Sequence, residues 1–291
     1  MEKSIEIMTA RISSILKDNE PSIHLFGSIV LDDFKLGWSD IDFVCLTKKA
    51  INNEQASKLV NLRQVLLEEY PEDKYFKLFE GIMMTLEAFL MNKSDTVVYW
   101  GTSGQRITNN GALCPFSKIQ LLDNGRLLHG NDFCHLISYP TRDEIIEAIK
   151  QTYKTISKYG IESPGCGWFL DIARCLYTLR KNNVKQFSFK SASSVAEKCV
   201  EAFAFSARTR PFKGGIAIIA KTKAGEWAIE ENICPDVSIM KKIIEIRKNP
   251  LKFRGDKGTR GWRKDINEWE KTLIPPMKRF LDVFEAELLI I

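Results

Sequence analysis

The segment that most constrains this chain runs from Ile23 to Leu46. A short apolar run, Ile23 to Phe26, breaks at Gly27-Ser28. Twelve residues beyond Ser28, Asp40-Ile41-Asp42 opens a second apolar run that continues to Leu46. Both runs have the length and composition of strands. Residues i and i+2 of a strand share a face, so Asp40 and Asp42 point the same way, about 6–7 Å apart along the chain. Two like charges held that close are costly to bury without a cation. Hard carboxylate oxygens suit magnesium, which takes one or two carboxylates together with nucleotide phosphates. Gly27 lets the backbone approach a triphosphate closely, and Ser28 offers a hydroxyl and an N–H to a phosphate oxygen.

A third carboxylate on a neighbouring strand would complete such a metal site or take the proton from an attacking hydroxyl. The β-like run from Leu78 to Met91 supplies two candidates, Glu80 and Glu87. Around these strands the periodicity predicts helices. Ile5, Met8, Ile12, Ile15 and Leu16 recur at helical spacing near the N-terminus, and Leu59, Leu62 and Leu66 mark a helix over residues 53 to 69, ended by Pro71. The segment from Leu121 to Gly130 reads as a turn, Asp123-Asn124-Gly125, between apolar runs.

The pattern changes near residue 140. Thr141 and Glu144 form a capping box, and a helical stretch runs to Gly160, read as its stop. Further helices are expected over Trp168–Arg180, Lys221–Glu231 and Asp236–Asn249, with a final pair flanking Pro275-Pro276. The expected architecture is therefore an α+β domain over residues 1–140 and an all-α helical-bundle domain over 141–291, with a cleft between them as the default site. The 291-residue length and 44 % hydrophobic content suit two packed units and exclude a disordered or coiled-coil chain.

Charge narrows the partners. The net charge is +5, but residues 241–264 hold ten Lys/Arg against two acids, leaving 32 basic and 35 acidic residues elsewhere. A slightly acidic body with one basic stretch argues against coating of nucleic acid along the whole surface and against a nucleic-acid partner. No apolar run is long enough to span a membrane, and the charged N-terminus lacks the apolar core of a signal peptide, so a cytoplasmic chain without a membrane partner is expected. The seven cysteines, Cys45, Cys114, Cys134, Cys166, Cys175, Cys199 and Cys234, contain no CxxC pair and read as buried reduced thiols. His129, Cys134 and His135 are close in sequence, but their spacing matches no zinc pattern.

The segment LFGSIVLDDFKLGWSDIDFVCL resembles the signature of the nucleotidyltransferase superfamily with the polymerase-β-like fold. Within it, the chain is more similar to bacterial aminoglycoside nucleotidyltransferases of the streptomycin/spectinomycin adenylyltransferase type. Thr85-Leu86-Glu87 resembles the strand that carries that family's catalytic base, which favours Glu87 over Glu80. LLDNGRLLHGND (121–132) resembles its closing strand and turn, and LDIARCLYTLR (170–180) and AKTKAGEWAIE (220–230) its two C-terminal helical motifs. The resemblance implies transfer of AMP from ATP to a drug hydroxyl, with release of pyrophosphate. Asp40 and Asp42, with Glu87 as a further metal residue, would hold two Mg2+ ions, Glu87 would act as base, and Gly27, Ser28, Arg174 and Lys221 would bind the triphosphate. A cationic antibiotic calls for carboxylates and an aromatic face, for which Trp100, Trp168, Glu162 and Asp171 are candidates by position; Trp227 is assigned to the core. A monomer is expected.

Two features depart from the family pattern. About forty residues, 181–219, intervene between the two helical motifs, including a helix-like piece over 192–207. The basic stretch 241–264 fits a solvated loop, an ATP-phosphate contact or a nucleic-acid contact. A lincosamide, a protein or an RNA are the alternative acceptors.

Overall fold

The computed structural model of the chain describes residues 1–101, 104–182, 216–255 and 266–290. The predicted helix over residues 192–207, Cys199 and the glycine-rich part of the basic stretch lie outside them. Helix α1 (Glu2–Ile15) leads into β1 (Ser22–Phe26), a short 3-10 turn at Gly27–Ile29, a loop and β2 (Ile41–Thr47). Helix α2 (Asn53–Glu69) crosses to β3 (Phe79–Thr85), followed by α3 (Leu86–Met91), β4 (Val97–Gly101), β5 (Gly104–Thr108), α4 (Pro115–Asn124) and β6 (Arg126–His129). The six strands form one mixed sheet in the order β5-β4-β3-β2-β1-β6. Only the β2–β3 pair is parallel, joined by α2; the other pairs are antiparallel.

Strand alternation divides the sheet into two faces. Ile41, Phe43 and Cys45 of β2 join Phe79 and Met83 beneath α1 and α2, against Ile5, Met8, Ile12, Leu59, Leu62 and Leu66. Val44 and Leu46 point the other way, with Phe26, Ile82, Met84 and Val97, under Ala88, Leu121, Phe133 and Ile137. Both faces of the central strands are covered, which is why β2 reads as a nearly continuous apolar run after its first turn.

The remaining helices are α5 (Arg142–Thr155), α6 (Cys166–Asn182), α7 (Lys221–Glu230), α8 (Val237–Lys248), α9 (Pro250–Arg254), α10 (Asn267–Lys271) and α11 (Ile274–Leu288, with Pro275 and Pro276 in its first turn). Ile149, Phe169, Leu176, Trp227, Met240, Ile243 and Phe280 share one core that also takes in Phe116 and Ile119 of α4. Asn182 and Ala217 are hydrogen-bonded in both directions, Nδ2 to O at 3.2 Å and N to Oδ1 at 2.9 Å, which brings together the chain on either side of residues 183–215. No described helix is long and apolar enough to cross a membrane.

Three local expectations are corrected. The run from Leu78 to Met91 is not one strand: Thr85 caps α3, its hydroxyl accepting from Ala88 N at 3.2 Å, so the strand ends where the helix begins. Leu121 and Leu122 belong to α4, begun by Pro115 behind a Cys114 cap, rather than to a strand. Gly160 does not stop the helix, which continues through a π-helical turn, Ile156–Gly160, to residue 162. A Cβ there would lie 2.9 Å from Ile156 Cγ2 and 3.5 Å from Trp168 Cδ1, so close packing demands that glycine. Among the cysteines, Cys45, Cys166, Cys175 and Cys234 are buried as expected, but Cys114 is exposed and Cys134 partly so. Burial pushes the Cys175 thiol up to about 12 and the Cys234 thiol up to about 11.

Candidate active site

The site grows from the ends of β1 and β2. Phe26 and Asp42 are paired across the antiparallel strands, and Gly27 turns sharply away at φ +77°. A Cβ on Gly27 would lie 2.0 Å from Asp42 Oδ2, so only glycine leaves room for that carboxylate. On the other side of β2, Asp42 is in register with Glu80 of β3. Strand parity puts both on the face of Val44 and Ile82, and Asp40, two residues before Asp42, follows the same alternation. Arg63 of α2 lies within reach of this edge. Burial lowers its pKa, and the fields of Glu80 and Asp40 oppose that shift. Strand register thus brings Asp42 and Glu80, with Asp40 just before β2, to one end of the central strands, and carboxylate oxygens of this kind suit magnesium.

Glu87 does not join them. It lies exposed in the first turn of α3 and pairs with Lys93 at 3.5 Å. The strand-to-helix change at Thr85 carries it off the face that holds Glu80.

A cavity of about 240 Å3 opens over the carboxylates. Gly27, Ser28, Asp40 and Asp42 line it together with Ser117, Gln120, Arg174, Lys221 and Arg247. Arg174, about two turns into α6, lies over the Phe116 ring at 5.1 Å and donates to Asp171 Oδ1 at 3.1 Å. Lys221, the first residue of α7, reaches the same carboxylate at 2.9 Å. Burial pushes the Asp171 carboxyl up, but Lys221 and Arg174 outweigh it and hold the group below its ordinary value. Asp171 is therefore engaged with the two cations. The Arg174 Nε is buried and has no hydrogen-bond partner among the described residues.

The other expected drug contacts lie elsewhere. Trp100 is fully buried beneath α2, edge-on to Phe43 at 5.5 Å, with its Nε1 donating to Leu59 O at 3.0 Å. It is a core residue, because the alternation of β4 turns it to the α1/α2 face. Trp168 is half-buried and donates to Ser163 O at 3.1 Å, and Glu162 is exposed; neither lines the cavity. Trp227 is core, edge-on to Tyr177 at 5.1 Å.

Sequence reasoning missed the residues that tie the loop between Ser28 and Asp40 to the helices behind it. Asp33 accepts from Thr222 N at 3.3 Å and Thr222 Oγ1 at 2.5 Å, at the N-terminus of α7. Arg247 Nη2 donates to Asp33 O at 3.1 Å and Oδ2 at 2.8 Å, with the two side chains 2 % and 7 % exposed. Burial raises the Asp33 carboxyl, but Arg247 and Thr222 more than offset this and hold it below the usual range. Trp38 completes the junction, its ring 5.1 Å from the Arg247 guanidinium and 4.1 Å from that of Arg254. One signal was available: Met240, Ile243, Ile244 and Arg247 follow i, i+3, i+4, i+7, so Arg247 sits on the apolar stripe of α8. Part of the basic stretch is thus built into the interior rather than solvated.

Residues 10–95 match the family model for a nucleotidyltransferase domain. The segment spans β1 through β3 and includes Gly27, Ser28, Asp40, Asp42 and Glu80. Among solved structures, the chain is similar to spectinomycin adenyltransferase AAD(9) from Enterococcus faecialis, solved with ATP and spectinomycin. The two are 12 % identical, with a TM-score of 0.52 and 98 % of each chain covered, so the likeness is one of fold. A terminal uridylyl transferase 4 from Trypanosoma brucei, solved with bound UPU, aligns at 11 % identity over 100 % of this chain and 94 % of its own, but its TM-score of 0.27 carries no structural weight. No curated protein matches the chain in sequence. The mixed sheet followed by a helical region is the fold expected from the resemblance to the adenylyltransferases.

Proposed function

We propose that this chain, whose residues 10–95 match a nucleotidyltransferase domain, transfers AMP from ATP to a hydroxyl of an aminoglycoside-type antibiotic, releasing pyrophosphate. The observation that carries the reading is that Gly27, Ser28, Asp40 and Asp42 line one cavity together with Arg174 and Lys221. An anionic triphosphate in this cavity meets both groups. Gly27 and Ser28 present backbone and hydroxyl donors to it, while Arg174 and Lys221 turn from Asp171 toward its oxygens. The buried Arg174 Nε, without a partner among the described residues, supplies a donor that a phosphate oxygen satisfies.

Asp40, Asp42 and Glu80 fit the two Mg2+ ions that accompany the nucleotide, and Gly27 keeps clear the space that Asp42 needs. Bound there, magnesium neutralises charge on the phosphates. The acceptor hydroxyl attacks the α-phosphorus in line, and pyrophosphate leaves on the opposite side. The base is assigned to Glu80, next to Asp42 across the β2–β3 pair, and not to Glu87. A cationic acceptor suits a chain whose residues outside 241–264 are net acidic. The expected oligomeric state is a monomer, with residues from both 1–140 and 141–291 lining the cavity.

The test is pyrophosphate release from Mg-ATP with α-labelled nucleotide and a panel of acceptors: streptomycin, spectinomycin, a lincosamide, protein and RNA. Label on an aminoglycoside-type drug is the expected result. Label only on a lincosamide, protein or RNA overturns the acceptor and leaves AMP transfer standing. No label with any acceptor overturns both.

A further inference from the structure

A second cluster of ligand-type side chains lies on the carboxylate face of the sheet, farther along β1. His24 of β1 is buried, its side chain 4 % exposed. Its Nδ1 lies 3.3 Å from Ser22 Oγ, and that hydroxyl donates to Asn131 O at 2.5 Å. A hydroxyl has a single proton. With that proton on Asn131, Ser22 meets His24 with a lone pair, so Nδ1 carries the ring hydrogen. The Nε2 of a neutral ring then turns its own lone pair to Asp132 Oδ1, 3.3 Å away. Two acceptors face each other, an arrangement that calls for a cation between them. A proton on Nε2 is one answer, but burial disfavours an imidazolium.

The third member points to a metal. Cys134 donates its backbone N–H to the same Asp132 Oδ1 at 2.8 Å. Ligand atoms of His24, Asp132 and Cys134 all lie within 4.8 Å of one another. In a tetrahedral zinc site, bonds of about 2.0–2.3 Å put nitrogen and oxygen ligands about 3.3 Å apart and nitrogen and sulfur about 3.6 Å apart. The His24–Asp132 distance already has the first of these values. We infer that His24 Nε2, Asp132 Oδ1 and Cys134 Sγ bind a zinc-type divalent ion, distinct from the Asp40/Asp42/Glu80 edge. The mixed nitrogen, oxygen and sulfur donor set selects such a borderline ion over magnesium. Ser22 is the outer partner that fixes the His24 tautomer.

The three ligands leave a fourth position toward a cavity of about 520 Å3, also lined by Leu122, His135 and Tyr139. On binding, the Cys134 thiol loses its proton to solvent and its sulfur bonds the metal. The ion joins β1 to the segment after β6. No local sequence pattern reports the site, because His24 and Asp132 are 108 positions apart.

The experiment titrates metal-free, full-length protein with Co2+ and follows the thiolate-to-cobalt charge-transfer absorbance, then displaces cobalt with Zn2+. One equivalent with a thiolate band is expected. Cys134→Ser should abolish the band, and His24→Asn should weaken binding at least about tenfold. Cys114→Ser, at the exposed cap of α4, and Asp40→Asn should leave the band unchanged. No thiolate band in the parent protein overturns the inference, as does a band that survives Cys134→Ser. Cys134 is partly exposed, so its serine variant tests the site even where His24→Asn fails to fold.

Discussion

Arg247→Ala is expected to destabilise the fold by about 3 kcal/mol, the lower end of the range for breaking a buried ion pair. The magnitude follows from what truncation removes and what it strands. Arg247 loses two donations to Asp33, at 2.8 and 3.1 Å, and a longer one to Thr222 Oγ1 at 3.3 Å. It also leaves the Trp38 ring. Asp33 keeps both Thr222 donors but remains a carboxylate with 7 % of its side chain exposed. An uncompensated buried charge dominates the loss. Arg247 lines the 240 Å3 cavity, so water reaches part of the truncated site, which places the value at the lower end. Urea unfolding followed by tryptophan fluorescence measures it, and the Asp33→Ala/Arg247→Ala double variant supplies the decisive comparison. With the partner charge gone, the double variant should be less destabilised than the sum of the single variants by about 1–3 kcal/mol. A single-variant loss below about 1 kcal/mol, or strict additivity, refutes the reasoning.

Glu80→Gln should slow pyrophosphate release about 100- to 10,000-fold, whereas Glu87→Gln should change it little; the reverse order returns the base to α3. Gly27→Ala forces a Cβ into a position 2.0 Å from Asp42 Oδ2 at φ +77°, so turnover should fall on the order of 100-fold, with a stability loss of about 1–2 kcal/mol in thermal melts. Acid should dissolve the Asp33 contribution. The folded-state carboxyl is held below its ordinary value, so its stabilisation is complete above the unfolded pKa of about 3.9 and is lost as pH falls through the lower folded value. The stability gap between the parent and Asp33→Asn should therefore close below about pH 4; a gap independent of pH contradicts the assignment.

Much of the fold was legible because its signals are local. The periodicity of α1, α2 and α6, the Thr141/Glu144 capping box and the alternation of β2 each act over a few residues. The Gly27-Ser28 to Asp40/Asp42 segment was legible for the same reason, since one strand and one turn set its geometry. Glu80 and Glu87 were not separable at that level. Both carboxylates stand in one apolar run, and a single hydroxyl cap at Thr85 decides where strand becomes helix. Trp100 carried no mark of its burial, because the face of β4 that meets α2 is set by strand pairing.

The sequence by itself determined β1, β2 and most of the helices, the glycine turn and the two aspartates, because backbone sterics and local periodicity need no distant partner. Only the tertiary structure decided which glutamate stands beside Asp42, that Asp171 engages Arg174 and Lys221, and that Arg247 reaches Asp33. These contacts join residues from 3 to 214 positions apart. The long-range ones depend on strand register and helix packing, which arise from burying apolar surface over the whole chain rather than from any local pattern.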